Sequence, residues 1–284
     1  GSAMAEFFKR VPANALGWRS ILPGISAMSI LSRLSDTRTR AILLSAAIIA
    51  GLVFAAVSGG FLRPHLTADW IISTPYARSA LISLADAAVL FTLVWLAAWT
   101  HPGRIAGVTG LGASPVRPLV WAGLSFLPAL IVCALLIPLS DASGPVDYGW
   151  LVVGGPVIEE IVYRGLAVGV LVRLAGWHWL PAVILPGFVF GLVHAGSGTD
   201  PMEVAGIVAI TGLGGLLFGW LFVRWGFNLW PALLLHVGLN GLWTAFALGE
   251  NAIGDLFANG VRFGTVILAI GLTFVLAPKP SRKR

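Results

Sequence analysis

A handful of residues in this chain are of types, and at spacings, that could do chemistry together. Glu159 and Glu160 are adjacent, and Arg164 stands four residues after Glu160. His194 closes the run Phe190-Gly191-Leu192-Val193-His194, and Asn240 stands four residues after His236. Residues four apart share one face of a helix, so Glu160 can pair with Arg164, and His236 lies beside Asn240. Glu159 is turned by ~100° from Glu160 on the same helix and has no cation in its motif. That division leaves Glu159 free to act as a base. A carboxylate and a histidine can hold and deprotonate a water, while a second histidine and an amide can donate to the oxyanion of a tetrahedral intermediate. The chemistry is peptide hydrolysis without a Ser or Cys nucleophile. Its nearest rival is a zinc peptidase in which Glu159, His194 and His236 ligate the metal. That rival lacks the HExxH helix motif. No serine lies in a GxSxG elbow, which leaves a serine triad poorly supported.

These polar residues stand in apolar surroundings, which makes them costly. An ionisable group at the centre of a bilayer costs ~2.5–3.5 kcal/mol even on lenient insertion scales, so such residues face inward and usually carry function. The alternative is an ion-paired cluster that only locks helices together. The bilayer setting follows from composition: 57% of the 284 residues are hydrophobic, 11% are charged, and the mean hydropathy is +0.90. Soluble chains average ~25% charged residues. So few charges cannot cover a water-soluble surface of this size, and lipid must be the solvent for much of the chain. The 12 Trp suit interfacial belts. The single cysteine, Cys133, excludes an internal disulfide and a cysteine metal cluster and reads as a packed thiol. The net charge of +6 reflects basic residues flanking apolar spans, so no nucleic-acid partner is expected.

A spanning helix needs ~20 apolar residues. Such segments run over residues 41–60, 80–99, 119–139, 149–171, 179–194, 204–223, 229–248 and 260–276. The expected fold is all-α: a polytopic bundle of about eight spanning helices around a polar intramembrane cavity. Short connections with Pro and Gly join the spans, so residues 41–278 read as one membrane domain. Residues 1–3, ahead of Met4, read as an expression remnant. Residues 4–40 form a basic N-terminal segment of amphipathic character or a disordered tail, and 279–284 a basic C-terminal tail. Lys and Arg concentrate at one set of ends, whereas the connections near residues 141–148, 195–203 and 249–259 hold Asp and Glu only. The positive-inside rule then puts both termini in the cytoplasm. Gly187 with Gly191, and Gly215 with Gly219, are spaced for close helix packing.

Taken in order, Glu159-Glu160-x-x-x-Arg164, Phe190-x-x-x-His194 and His236-x-x-x-Asn240 resemble the three motifs of the CAAX-protease and bacteriocin-processing family, also called the ABI family. That family includes the type II CAAX prenyl endopeptidases. The resemblance covers about residues 149–248, and the family's eight-helix core agrees with the span count. It implies an intramembrane glutamate endopeptidase with no obligatory metal. In that pattern Glu159 activates water with help from His194, His236 and Asn240 form the oxyanion hole, and Glu160 and Arg164 support the site or bind substrate. Membrane lipid and a peptide or protein substrate, lipidated or not, are the implied partners. Members of the family also serve as bacteriocin-immunity proteins or scaffolds, which leaves a non-catalytic role as the second reading. A transporter is the third, since midplane carboxylates also mark ion paths, but no repeated half is visible. The Ala/Gly/Leu/Arg-rich composition with three Lys points to a high-GC prokaryote and so to an inner (plasma) membrane.

Several polar residues fall outside these motifs. Asp86 reads as a buried hydrogen-bonding group. His65, His101 and His178 read as interfacial, Trp177 and Trp179 as interface anchors, and Pro186-Gly187 as a kink. Counting from the cytoplasmic ends sets Glu159 and His194 deeper than His236, so depth alone does not align the site.

Overall fold

The computed structural model describes residues 37–98 and 102–278. Residues 1–3, most of the basic segment 4–40, His101 and the tail 279–284 lie outside the described residues. Among the described residues there is no strand. The long elements are α1 (Thr37–Leu62), α2 (Ala77–Ala98), α3 (Val116–Leu136), a composite helix α4 over residues 145–173, α5 (Trp179–Val193), α6 (Pro201–Arg224), α7 (Trp230–Ala245) and α8 (Leu256–Leu276). Each expected apolar segment is helical. Their outward faces stay apolar: Ile42, Val53, Leu130, Ile267 and Phe274 are all exposed, as lipid contact requires.

Six of these helices are long and apolar enough to cross a membrane. The expected count of eight is therefore not reached on length and composition. The two that fall short are α4 and α7, the pair that carries the glutamates, Arg164, His236 and Asn240. Polar residues and short or irregular helices go together here for a physical reason. A π-helical stretch covers Tyr148–Gly154 and another Glu160–Val168. Wide π turns inside α-helices are uncommon and cluster at functional sites. The second begins at the glutamate pair itself. These turns, with α5 15 residues and α7 16 residues long, depart from the regular spanning helices on which a count of depth rests.

Two apolar clusters hold the bundle. One joins α1, α2, α4 and α5 through Leu44, Ile48, Leu90, Val94, Leu166 and Leu171. The other joins α3, α6, α7 and α8 through Trp121, Phe126, Leu221, Leu235 and Ala269. The polar residues of α4 and α7 meet at the seam between them. Not all Trp serve the interface, as composition suggested: Trp121 is fully buried and donates to the Ala269 carbonyl at 2.9 Å, and Trp225 donates to Thr273 Oγ1 at 3.4 Å. Trp177 reaches back to Ser45 Oγ on α1 at 2.9 Å, whereas Trp179 stays partly exposed.

The glycine pairs do pack helices. A Cβ on Gly215 of α6 would lie 2.9 Å from the Gly187 backbone of α5, and one on Gly191 would lie 2.7 Å from the Val208 carbonyl oxygen. Backbone cannot yield as a flexible side chain can. Gly215→Val is expected to force α5 from α6 and to destabilise the protein by ~1–3 kcal/mol, the usual range for overpacking. Thermal melting in detergent checks this, with Gly260→Val, at a position with open space around it, as the control expected to melt like the wild type.

Candidate active site

The glutamate pair divides as its spacing predicts. Glu160 is fully buried, and its Oε1 accepts from Arg164 NH1 at 2.9 Å, i to i+4. The same oxygen accepts from His236 Nδ1, also at 2.9 Å. A carboxylate oxygen only accepts, so that ring nitrogen carries the proton and Nε2 is left facing away from Glu160. His236 Nε2 points at the second glutamate, 3.8 Å from Glu159 Oε2, too long for a direct hydrogen bond. His236 thus bonds one carboxylate and faces the other, a position its spacing to Asn240 does not predict.

Two aromatic rings lock this cluster. The Arg164 guanidinium lies 4.4 Å from the ring centre of Phe190 and 5.0 Å from that of Phe218. Phe218 also stacks on His236, with centroids 5.0 Å apart and planes 22° from parallel. A cation between two aromatic faces gains from both ring quadrupoles when it is withdrawn from water. Phe190 in turn packs against His194 at 4.7 Å and edge-on to Tyr163 at 5.1 Å.

His194 caps the C-terminal end of α5, and its Nδ1 lies 2.7 Å from the Phe190 carbonyl oxygen. A carbonyl cannot donate, so Nδ1 bears the hydrogen and Nε2 presents a lone pair. His194 and Glu159 line one cavity of about 180 Å³ with Tyr163, Asp86, Ser83 and Arg63. The Asn240 amide donates to the Leu151 carbonyl on α4 at 2.8 Å. The structure therefore gathers Glu159, Glu160, Arg164 and His236 directly, joins His194 to Glu159 through the cavity, and ties Asn240 to the α4 backbone.

Asp86 is a hydrogen-bonding group, as its sequence setting predicts, with Ser58 as partner; it also lines the same cavity as Glu159 and His194, where its Oδ1 has no partner. Ser79, Ser83 and Asp86, at i, i+4 and i+7 of α2, all face the cavity. That polar stripe on an apolar helix is the sequence signal that could have found them. Phe218 carries no such signal, being one apolar residue among many.

Among the described residues, no three His, Cys, Asp or Glu side chains group so as to hold a metal ion. Nδ1 of His236 is held by Glu160 and Nδ1 of His194 by a carbonyl, which leaves Nε2 as the open nitrogen of each ring.

The sequence model of the family described as type II CAAX prenyl endopeptidase Rce1-like matches residues 141–242. That stretch runs from the entry of α4 into α7 and includes every motif residue from Glu159 to Asn240. No curated protein and no solved structure matches the chain. Through the segment that carries its buried polar cluster, this integral membrane protein is similar to the type II CAAX prenyl endopeptidases of the Rce1-like family.

Proposed function

We propose that the protein is an intramembrane endopeptidase in which Glu159 activates a water to attack a peptide bond of a membrane-associated peptide or C-terminal tail. The observation that carries this reading is the unequal use of the two carboxylates. Glu160 is consumed by Arg164 and His236, whereas Glu159 faces a cavity shared with His194. Glu159 takes a proton from water as the water oxygen bonds to the carbonyl carbon. His194 Nε2 accepts from the same water and orients it. The proton then passes from Glu159 to the leaving nitrogen as the C–N bond breaks.

The oxyanion is assigned to His236 and Asn240. In this role His236 acts through Nε2, the ring nitrogen that Glu160 does not hold. Asn240 holds the Leu151 carbonyl with one N–H and keeps a second for substrate. Glu160 and Arg164 act by holding His236 in place. Asp86 Oδ1 offers an acceptor for a backbone N–H of the bound peptide. A prokaryotic plasma membrane is the proposed location.

The direct test is mass-spectrometric identification of peptides trapped by Glu159→Gln protein, followed by their cleavage with the wild type in detergent. Recovered peptides that the wild type leaves intact would sink the proposal. On this reading the water is activated by Glu159 alone, so phenanthroline is expected to leave the cleavage rate unchanged. A rate lost to the chelator and restored by zinc would transfer the chemistry to a metal.

A further inference from the structure

The cavity that holds Glu159 and His194 is not at the middle of the bundle only; it runs to one end of it. Its lining passes from Asp86 through Ser83 and Ser79 on α2 to the exposed Arg63, just beyond α1. Those residues lie where α1 finishes, α2 begins and α5 finishes. His194 closes α5, three residues before the end of the apolar span Trp179–Ser197, at the end of the bundle where Arg63 lies.

This end of the bundle is chemically distinct. Tyr76, in the connection after Arg63, donates to Asp147 at the start of α4 at 2.6 Å. Ser140 donates its backbone N–H to the Ala245 carbonyl at 2.8 Å, and Asn251 bonds Glu203. These bonds knit together the connections 63–76, 137–144, 194–200 and 246–255. The last three contain Asp or Glu and no Lys or Arg. The opposite end is knit in the same way. Arg173 donates to the Val108 carbonyl at 3.1 Å, Asn228 to the Ser114 carbonyl at 3.0 Å, and Arg224 to the Pro278 carbonyl at 3.0 Å. The connections and helix ends there hold Arg104, Arg117, Arg173 and Arg224 and no acid among the described residues. All these connections are short, the regime in which Lys and Arg set orientation.

We infer that the reaction cavity opens on the non-cytoplasmic face, so the substrate is a peptide segment reached from outside the cytoplasm rather than a cytosolic tail. The word substrate rests on the endopeptidase reading; the orientation of the cavity does not. Water for hydrolysis enters from the same side, along Ser79, Ser83 and Asp86.

The test labels the full-length protein in spheroplasts with a membrane-impermeant maleimide. Wild type is the blank, since its one thiol, Cys133, is buried. Ser79→Cys and Arg63→Cys at the cavity mouth are expected to label in intact spheroplasts. Arg117→Cys, exposed at the opposite end, is expected to label only after permeabilisation. The reverse pattern, or mouth cysteines that label on neither side, overturns the inference. A second arm applies an impermeant peptide library to sealed vesicles of each orientation. Cleavage in right-side-out vesicles supports the inference, and cleavage confined to inverted vesicles overturns it. If neither orientation cleaves while Ser79→Cys labels from outside, the endopeptidase reading fails and the opening stands.

Discussion

Glu159→Gln is expected to slow peptide hydrolysis by about 10²–10⁴-fold, the range for loss of a positioned general base, while the protein stays folded. Gln keeps the size and hydrogen-bonding capacity of the side chain and removes only its ability to take a proton at neutral pH. The fold has little at stake in the change. Glu159 is partly exposed to the cavity, with a side-chain exposure of 26%, and its Oε2 lies 3.8 Å from His236 Nε2. The buried pair of Glu160 with Arg164 is untouched. Initial rates and a thermal melt on the same preparation separate the two effects. A variant as fast as wild type would remove Glu159 from the chemistry. Full biological function with no detectable hydrolysis by either protein would favour the scaffold or immunity role.

His194→Ala acts on the same water and is expected to slow the reaction without adding to the Glu159→Gln loss, because groups that act as a unit are not additive. Asn240→Ala is different in kind. Its amide also ties α7 to the Leu151 carbonyl of α4. A loss there mixes catalysis with the placement of one helix on another, so its melt must accompany its rate.

What the sequence made legible is what depends on neighbours along one helix. The pairing of Glu160 with Arg164 is a property of i,i+4 spacing, and it survives the π turns in which it sits. The close approach of α5 and α6 follows from glycine spacing for the same reason. What stayed hidden depends on neighbours across helices. Nothing in the spacing of His236 to Asn240 tells that its Nδ1 lies on Glu160, on another helix. Asp86 belongs to no motif along the chain, and only the fold brings α2 against Glu159. Phe218 is invisible for another reason. Outside a motif such as the one that joins Phe190 to His194, a phenylalanine in a chain this apolar carries no contrast, although Phe218 encloses the Arg164 charge together with Phe190. The π turns escaped because a one-residue widening leaves the pattern of apolar residues nearly unchanged.

Glu160→Ala carries the largest expected loss of stability in the molecule. Arg164 is 1% exposed, and Glu160 Oε1 is the carboxylate oxygen it holds. Removing the carboxylate strands a guanidinium among Phe190, Phe218 and the apolar wall of α4. Breaking a buried pair from one side costs ~3–5 kcal/mol, mostly as the penalty of the orphaned charge. Replacing both partners with apolar residues of similar volume is often neutral, so Glu160→Met with Arg164→Met is expected to recover most of the loss. A double-mutant cycle read by thermal melting checks this. A Glu160→Ala protein as stable as wild type, or a double variant no better than the single, would show that the pair does not couple. Recovery of the fold should not bring back the reaction. In the double variant His236 Nδ1 has lost its acceptor, and the ring is free to turn Nε2 away from Glu159. A stable, inactive double variant would separate the two tasks of Glu160: it neutralises Arg164 for the sake of the fold, and it aims His236 for the sake of the chemistry.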